Sequence, residues 1–121
     1  MKENVIKSKT KAFALRIIKL YRYLTEEKKE FVLSKQVLRS GTSIGANVRE
    51  SECAQSEADF YAKLYISYKE ANETTYWLEL LHESGYIDDG SFNSVYDDNK
   101  EIIKILASIT KTQKTKQPSK N

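Results

Sequence analysis

The sequence contains few of the residues that interrupt or cross-link a chain: one proline, four glycines and one cysteine among 121 residues. A single cysteine excludes an internal disulfide and is typical of a reducing compartment, so we expect a cytoplasmic location. Because proline and glycine break helices, their scarcity favours long uninterrupted elements. No run of 18 apolar residues occurs and no apolar segment precedes Phe13, so neither a membrane-spanning helix nor a secretion signal is expected.

The remaining composition is typical of a soluble helical protein with one hydrophobic core. Hydrophobic residues make up 40% of the chain and charged residues 31%, and this length is sufficient for one domain. Apolar residues recur at spacings of three and four, which is the period of an amphipathic helix. We therefore predict an all-α domain over 1–110 and a disordered, lysine-rich tail over 111–121. The predicted helices cover residues 4–24, 27–54, 57–84 and 91–110.

Residues typical of helix ends separate these segments. Thr25, followed by two glutamates, is expected to begin the second helix. Ser56 and Asp59 have the spacing of a capping box at the start of the third helix. The turn before Ser56 must be tight, which makes the second and third helices antiparallel neighbours. Gly85 is expected to end the third helix in the left-handed conformation.

The segment from Gln36 to Ser51 carries an unusual helix face, because polar residues lie in line with aliphatic ones. Ser40 and Asn47 occupy positions on this face, while the glycines of the segment lie opposite and favour close packing of neighbouring helices. The third helix likewise places acidic residues in line with apolar ones. The alternative is a solvent-exposed helix whose serines have no structural role.

We predict that these polar side chains form an internal hydrogen-bonded network, since a buried polar group needs a partner. Arg39 is the natural partner of the acids on the third helix. Removing either Arg39 or Glu70 is expected to cost several kcal/mol by leaving a buried charge unpaired. The predicted network comprises Gln36, Arg39, Ser43, Asn47, Glu50, Glu70 and Glu73.

Charge is segregated along the chain although the net charge is only +3. Residues 2–24 carry seven Lys or Arg and one Glu, whereas 56–84 carry two basic and six acidic residues. The tail adds four lysines and no acid. The basic face of the first helix is either a solvated surface with extended side chains, a partner of acidic helices in the same or the next subunit, or a contact for a polyanion. The candidate nucleic-acid-binding residues on it are Lys9, Lys11, Arg16, Lys19 and Arg22.

Four tyrosines recur at near-helical spacing on the third helix. Tyrosine rings can stack on bases, but they are more common at subunit contacts, where the ring is buried and the hydroxyl stays hydrated. We therefore favour a subunit interface over base stacking. The residues concerned are Tyr61, Tyr65, Tyr68 and Tyr76.

Motifs for catalysis or metal binding are weak. Glu79 and His82 form a Glu-x-x-His pair, but a carboxylate-bridged two-metal site needs two such pairs, and the chain has one histidine. Cys53 lies beside the turn between the second and third helices, so it is expected far from His82. An acid–base role for the arginine–glutamate cluster has no accompanying nucleophile. We expect no enzyme activity, no metal and no cofactor.

Two segments resemble a known family. QVLRSGTSIGANVRE, from Gln36 to Glu50, is similar to the core motif of bacterial four-helix-bundle proteins encoded in intervening sequences of 23S ribosomal RNA genes. The segment from Lys63 to Ile87 is similar to the third helix of the same family. One departure is Ser51, where many members have glycine. A related group includes the accessory protein of diversity-generating retroelements, which acts beside a reverse transcriptase and nucleic acid.

The resemblance implies an antiparallel up-down-up-down four-helix bundle that assembles into a homopentamer. Two functions follow as hypotheses. The first is a non-enzymatic oligomer that binds RNA or DNA through basic surfaces, with no membrane partner. The second is an oligomeric scaffold or accessory protein that acts through a protein partner and has no nucleic-acid affinity of its own. In the second case, the basic residues of the first helix are expected to pair with acidic helices across subunits.

Overall fold

The computed structural model describes the backbone of residues 2–116 and the side chains of residues 5–111. Within this part of the chain the backbone forms four α-helices and no strand. Each helix packs against the next in chain order, and α1 also packs against α4, so the four helices enclose one core. The predicted all-α four-helix bundle is confirmed. The helices are α1 (Lys2–Glu26), α2 (Leu33–Ser51), α3 (Glu57–Glu83) and α4 (Asp89–Lys116).

An apolar stripe from each helix fills the interior, as the periodicity predicts. Complete burial of one such side chain contributes about 1.5–3 kcal/mol. One polar residue joins the stripe of α4: Asn99 is fully buried, and its amide donates to the Ala71 carbonyl oxygen at 2.9 Å and to Thr75 Oγ1 at 3.0 Å. Large, fully buried apolar residues include Phe13, Ile17, Leu24, Ile44, Leu64, Leu78, Leu81, Ile102 and Leu106.

Two glycines allow α2 to approach α1 closely. A Cβ atom at Gly41 would lie 2.8 Å from Ile17 Cγ1, and one at Gly45 would lie 3.3 Å from Thr10 Oγ1. Because the later glycine meets the earlier residue of α1, the two helices are antiparallel. Ile17 is completely buried, so a larger residue at position 41 would have to displace a packed core side chain.

Buried hydroxyl groups join α2 to α3. Thr74 Oγ1 donates to Ser40 Oγ at 2.8 Å, and Ser67 Oγ donates to the Ile44 carbonyl oxygen at 2.7 Å. The three hydroxyl-bearing residues are fully buried. Their short side chains let the two backbones approach while each hydroxyl keeps a partner. Polar groups are therefore enclosed between tightly packed helices at these positions.

The connection between α1 and α2 differs from the prediction. The sequence predicts a second helix over 27–54, but the structure places 27–32 in a connection and ends α2 at Ser51, three residues before the predicted end. Thr25 is not its N-cap: the hydroxyl donates to the Tyr21 carbonyl oxygen at 2.9 Å inside the last turn of α1. The connection contains Lys29 in the left-handed region, with φ 54°. Neither glycine nor proline marks this turn, so its sequence carries no ordinary turn signal.

Glu30 provides the start of α2. The residue at the N-cap position, Val32, has no side-chain oxygen. The Glu30 carboxylate instead accepts hydrogen bonds from the backbone N–H groups of Val32 (3.2 Å), Leu33 (2.9 Å) and Ser34 (2.7 Å). These are donors that the first helical turn cannot pair internally. Burial acts to raise the pKa of Glu30, but the hydrogen bonds outweigh burial and hold that pKa below its usual value.

The ends around α3 agree with the sequence pattern. Ser56 Oγ accepts a hydrogen bond from the Asp59 N–H at 3.0 Å, which caps α3. The Asp59 carboxylate reaches back to the N–H of Gln55 at 3.2 Å, one residue before the expected partner. Gly85 has φ 88° and ends α3 in the left-handed conformation, as predicted.

The start and end of α4 extend beyond the predicted range of 91–110. Asp88 lies directly before α4, and a hydrogen bond from the Ser91 N–H (2.7 Å) to its carboxylate holds the pKa of Asp88 below its usual value. The helix continues to Lys116, so the first six residues of the expected disordered tail are helical. Residues 117–121 lie outside the described residues.

Candidate functional site

A cluster of polar side chains lies across the surface of α2 and α3. The Arg39 guanidinium donates to Glu70 Oε1 at 3.2 Å, to Glu73 Oε2, and to Gln36 Oε1 at 3.3 Å. Trp77 Nε1 donates to the same Glu73 oxygen at 2.8 Å. The structure therefore confirms that Arg39 is the partner of the two acids on the third helix.

The cluster is not enclosed, which corrects the prediction of an internal network. The side chain of Arg39 is 47% exposed, and those of Glu70 and Glu73 are 21% and 34% exposed. The reason is the direction of each side chain on α2. Ser40 points between the helices, whereas the preceding residue, Arg39, lies at the edge of the same interface and reaches α3 over its outer surface.

The other predicted members of the network do not join this cluster. Ser43 Oγ donates to the Arg39 carbonyl oxygen at 2.7 Å, and the Asn47 amide donates to the Ser43 carbonyl oxygen at 2.9 Å. Both bonds stay within α2 and are typical of polar residues on a helix surface. Glu50 forms an ion pair with Lys63 at 3.3 Å. The seven predicted residues thus form one cluster of four and three separate contacts.

The composition of the cluster indicates a structural role. One cation bridges two carboxylates, and the second carboxylate also orients the Trp77 indole. A bridged set of this kind fixes α2 against α3 at their outer edge. Because each of these groups already has a partner of complementary charge or hydrogen-bonding character, the cluster resembles a structural ion-pair network.

The basic residues of α1 separate into paired and unpaired groups. Lys9 pairs with Glu101 at 2.8 Å, and Arg16 pairs with Asp98 and also donates to Ser94 Oγ at 2.8 Å. These acids lie on α4 of the same chain. The sequence does not decide whether the basic residues of the first helix pair with acids of the same subunit. Lys9 and Arg16 do so.

The other three candidate basic residues remain exposed. Lys11, Lys19 and Arg22 have no ion pair within the described residues. Lys19 lies at a groove of about 650 Å³ between α1 and the start of α4, which Asp88 also lines. Lys11 lies at a different groove, of about 340 Å³, between α1 and α2.

Two basic residues of the α1–α2 groove are not among the binding residues predicted from the sequence. Lys7 and Arg49 line it together with Lys11. Lys7 and Lys11 are four residues apart and therefore share one helix face, which the sequence alone could have indicated. Arg49 belongs to a different helix, and its proximity depends on how α2 is aligned against α1.

The four tyrosines of α3 do not form one uniform face. Tyr65 and Tyr76 are 46% and 54% exposed, whereas Tyr61 and Tyr68 are partly buried against the core. Tyr65 and Tyr68 stack with ring centroids 5.8 Å apart. Ile66, beside the stacked pair, is also 41% exposed. An exposed apolar area thus exists on α3, and only part of the predicted set contributes to it.

The single histidine has a local structural contact. His82 Nε2 lies 2.7 Å from Asp89 Oδ1, and its ring stacks on Phe92 with centroids 4.2 Å apart. Cys53 is free and exposed. The described residues contain no group of three or more His, Cys, Asp or Glu that could hold a metal ion. In the same part of the chain, none of the helices has the length and apolar character required to cross a membrane.

Comparison with known proteins identifies the family. The family described as 23S rRNA-intervening sequence protein matches residues 2–108. The chain is also similar to the crystal structure of a protein with unknown function from the S23 ribosomal protein family of Bacteroides thetaiotaomicron VPI-5482. The sequence identity is 59% and the TM-score 0.90, over 92% of this chain and 99% of that chain. Among curated proteins, none matches. As the sequence resemblance predicts, the chain belongs to the 23S rRNA-intervening sequence protein family.

Proposed function

We propose that this protein is a non-enzymatic, cytoplasmic homo-oligomer that binds nucleic acid, RNA or DNA, through its basic surface. The main support is the excess of positive charge on α1 and α2, part of which is exposed and has no ion pair among the described residues. These two helices contain ten Lys or Arg and three Asp or Glu, whereas α3 contains two and six. A surface of one sign attracts a polyanion over a distance of about one Debye length, roughly 8 Å at physiological salt.

The ion pairs of Lys9 and Arg16 with α4 reduce the positive charge that is available to a nucleic acid, but they leave other basic residues exposed. Lys11, Lys19 and Arg22 stay exposed without an ion pair among the described residues, and Lys35 and Arg49 of α2 are exposed as well. Each phosphate contact made by such a side chain releases a condensed counterion. The non-enzymatic part of the proposal is supported by the bridged arrangement of the Arg39 cluster and by the stacked His82.

The experiment is a binding titration of the full chain with fluorescently labelled RNA and DNA of matched length, followed by anisotropy. We expect binding at 50 mM salt and a linear fall of log affinity with log salt. The control probe is a labelled peptide nucleic acid of the same sequence, which has an uncharged backbone and should not bind. Absence of binding to both RNA and DNA at 50 mM salt would reject the proposal.

Self-association is supported by the exposed apolar part of α3. Tyr65, Ile66 and Tyr76 present large apolar surface to solvent in the single chain, and such surface is typical of subunit contacts. The family resemblance implies a pentamer. We expect light scattering coupled to gel filtration to give a mass near five times 14.0 kDa.

A pair of variants tests the location of the subunit interface. Ile66→Glu introduces a charge on α3 and is expected to shift the oligomer toward monomer. Leu15→Glu makes the same chemical change on α1 at a side chain that is 56% exposed, and it should leave the mass unchanged. If neither variant changes the mass of an oligomeric wild type, α3 is not the interface.

The second candidate function is a scaffold that acts through a protein partner. The observation in its favour is an exposed apolar pair in the α1–α2 connection, where Phe31 is 53% and Val32 71% exposed. For this function we expect a specific protein to be recovered from native cells with the wild-type chain and lost with Phe31→Ser, while nucleic acid is absent from the recovered material. Recovery of nucleic acid without a stoichiometric protein partner would contradict it.

A further inference from the structure

The positive charge of α1 divides between two sides of the helix. On the side facing α4, Lys9 and Arg16 are neutralised by Glu101 and Asp98. On the side facing α2, Lys11 has no ion pair within the described residues. The charge at these two positions facing α4 is therefore compensated, whereas α1 has an uncompensated face at Lys11, where an anion can bind without displacing an existing pair.

The uncompensated face borders the α1–α2 groove of about 340 Å³. Lys7 and Lys11 contribute one wall, and Arg49 contributes the other. Among the described residues that line the groove there is no carboxylate. Lys7 has an ion pair with Glu52 at 3.1 Å at its end of the groove, and this pair is about as exposed as Lys9–Glu101. In the described part of the chain, the uncompensated charges of the groove are therefore those of Lys11 and Arg49.

Close helix packing produces the groove. Gly45 lets α2 approach Thr10 of α1, and the alanines on either side, Ala14 and Ala46, leave the groove unfilled. Lys7 and Lys11 are four residues apart, about 6 Å along the axis at a rise of about 1.5 Å per residue. The long side chains of the walls can thus converge over a floor made of small residues.

The chemistry of the floor indicates recognition by charge rather than by base pattern. The Thr10 hydroxyl donates to the Ile6 carbonyl oxygen and the Thr42 hydroxyl to the Leu38 carbonyl oxygen, each at 2.7 Å. Their hydrogens are therefore already used within the helices. No aromatic ring is among the described lining residues, so the groove offers no surface for base stacking.

We propose that the α1–α2 groove is the phosphate-contact site of this protein, where Lys11 and Arg49 bind the backbone of a nucleic-acid strand without sequence preference. This inference rests on the proposed nucleic-acid binding and gives it a location. Phosphate contacts of this kind position a strand but carry no base information. Two grooves that border α4 contain carboxylates, Asp88 in one and Asp98 and Glu101 in the other, and these offset the basic side chains that line the same grooves.

The test compares two variants that remove the same charge from α1 two residues apart. Lys11→Gln removes a groove contact, and Lys9→Gln removes a residue that is paired with α4. For duplex probes we expect Lys11→Gln to reduce the magnitude of the salt slope by about 0.9 and to weaken binding about eightfold at 0.1 M salt. Lys9→Gln should leave the salt slope nearly unchanged and weaken binding by no more than about twofold, because its charge is already compensated locally.

Arg49→Gln provides a second groove variant on the other helix and should reproduce the effect of Lys11→Gln. All variants are first checked by circular dichroism for wild-type helix content. Duplexes of equal length and different base sequence should bind the wild type with equal affinity. Equal weakening by Lys9→Gln and Lys11→Gln, or strong dependence on base sequence, overturns the groove assignment while leaving nucleic-acid binding intact. If the wild type binds no nucleic acid at all, the proposed function itself fails.

Discussion

The carboxylate of Glu30 shows how one residue sets the start of a helix. It lies two residues before the N-cap position and still reaches three backbone N–H groups of the first turn of α2. Arg39 shows the opposite case, in which a charged residue expected in the interior lies at the surface. For both residues the local pattern identified a polar side chain, and the course of the backbone decided what that side chain contacts.

We expect Glu30→Ala to lower the free energy of unfolding by about 1–2 kcal/mol at neutral pH, because α2 loses its N-terminal cap. Hydrogen bonding to the ionised carboxylate holds the pKa of Glu30 below the ordinary value of 4.5. A lowered folded-state pKa means that the stabilisation is present above pH 4.5 and is lost as the pH falls through the lower, folded-state value. Urea titrations between pH 7 and pH 3 should show the variant and the wild type converging in acid.

The exposed Glu27 of the same connection provides the control for that series. Glu27→Ala should leave stability and its pH dependence nearly unchanged. A loss in Glu30→Ala that is constant from pH 7 to pH 3 would show that the carboxylate does not act in its ionised form.

For Arg39→Ala we expect a loss of about 1 kcal/mol or less, since exposed ion pairs contribute little to stability. This replaces the larger loss expected from the sequence, which assumed a buried charge. Chemical denaturation of the variant measures the difference directly. A loss of several kcal/mol would mean that the cluster is more enclosed than the exposure of Arg39 indicates, because stranding a buried charge has that magnitude.

At the scale of the helices, small residues on α2 decide how its two neighbours pack. Gly41 and Gly45 face α1, and Ser40 faces α3 through a hydroxyl bond to Thr74. These residues are unfavourable or neutral in an isolated helix. Their presence in the middle of α2 is explained by the distances between helices, which a larger side chain would increase.

Gly41→Ala is expected to destabilise the protein even though alanine is the better helix former. Helix propensity favours the variant by about 1 kcal/mol, but overpacking against the buried Ile17 costs about 1–3 kcal/mol. In an Ile17→Ala background the two clashing atoms, Cγ1 and Cγ2 of Ile17, are absent, so Gly41→Ala should cost less there than in the wild type. The coupling is obtained from urea titrations of the two single variants and the double variant.

Gly45→Ala serves as the matched comparison, because a Cβ there would lie 3.3 Å from its nearest neighbour rather than 2.8 Å. Its effect should stay below that of Gly41→Ala. Equal effects at both positions, or no coupling with Ile17→Ala, would show that contact with α1 is not the cause.

The interhelical hydroxyl of Ser67 gives a second test of close packing. Ser67→Ala removes the bond to the Ile44 carbonyl oxygen and should lower stability by about 1 kcal/mol. Ser43→Ala removes a hydroxyl that bonds only within α2 and should change stability by less than about 0.5 kcal/mol. Thermal or urea unfolding distinguishes the two, and similar losses would contradict a special role for the α2–α3 bond.

At the scale of the whole molecule, opposite charges help to close the bundle. α1 and α4 share the least extensive of the four interfaces. The ion pairs Lys9–Glu101 and Arg16–Asp98 lie along this interface and are largely exposed. The chain thus uses part of its basic first helix to hold the last helix, and only the remainder is available to a partner.

Neutralising both acids, as Asp98→Asn with Glu101→Gln, is expected to lower stability by about 1 kcal/mol or less. The loss should be largest at low ionic strength and should diminish at 1 M NaCl, because salt screens exposed pairs. Urea titrations at 0.05 M and 1 M NaCl measure it. Asp97→Asn removes an exposed acid of α4 that has no ion pair among the described residues and is the control. A loss that is the same at both salt concentrations would exclude an electrostatic cause.

The sequence by itself determined the helical character, the buried stripes, the caps at Ser56 and Gly85, and the family. These properties depend on residues close together in the chain, where the helical period and local hydrogen bonding are sufficient. Only the tertiary structure decided that Glu30 caps α2, that Arg39 lies outside the core, and that Lys9 is neutralised while Lys11 is not. Each of these depends on the alignment of one helix against another or on the path of a loop, and such nonlocal distances are not encoded in the period of a single helix.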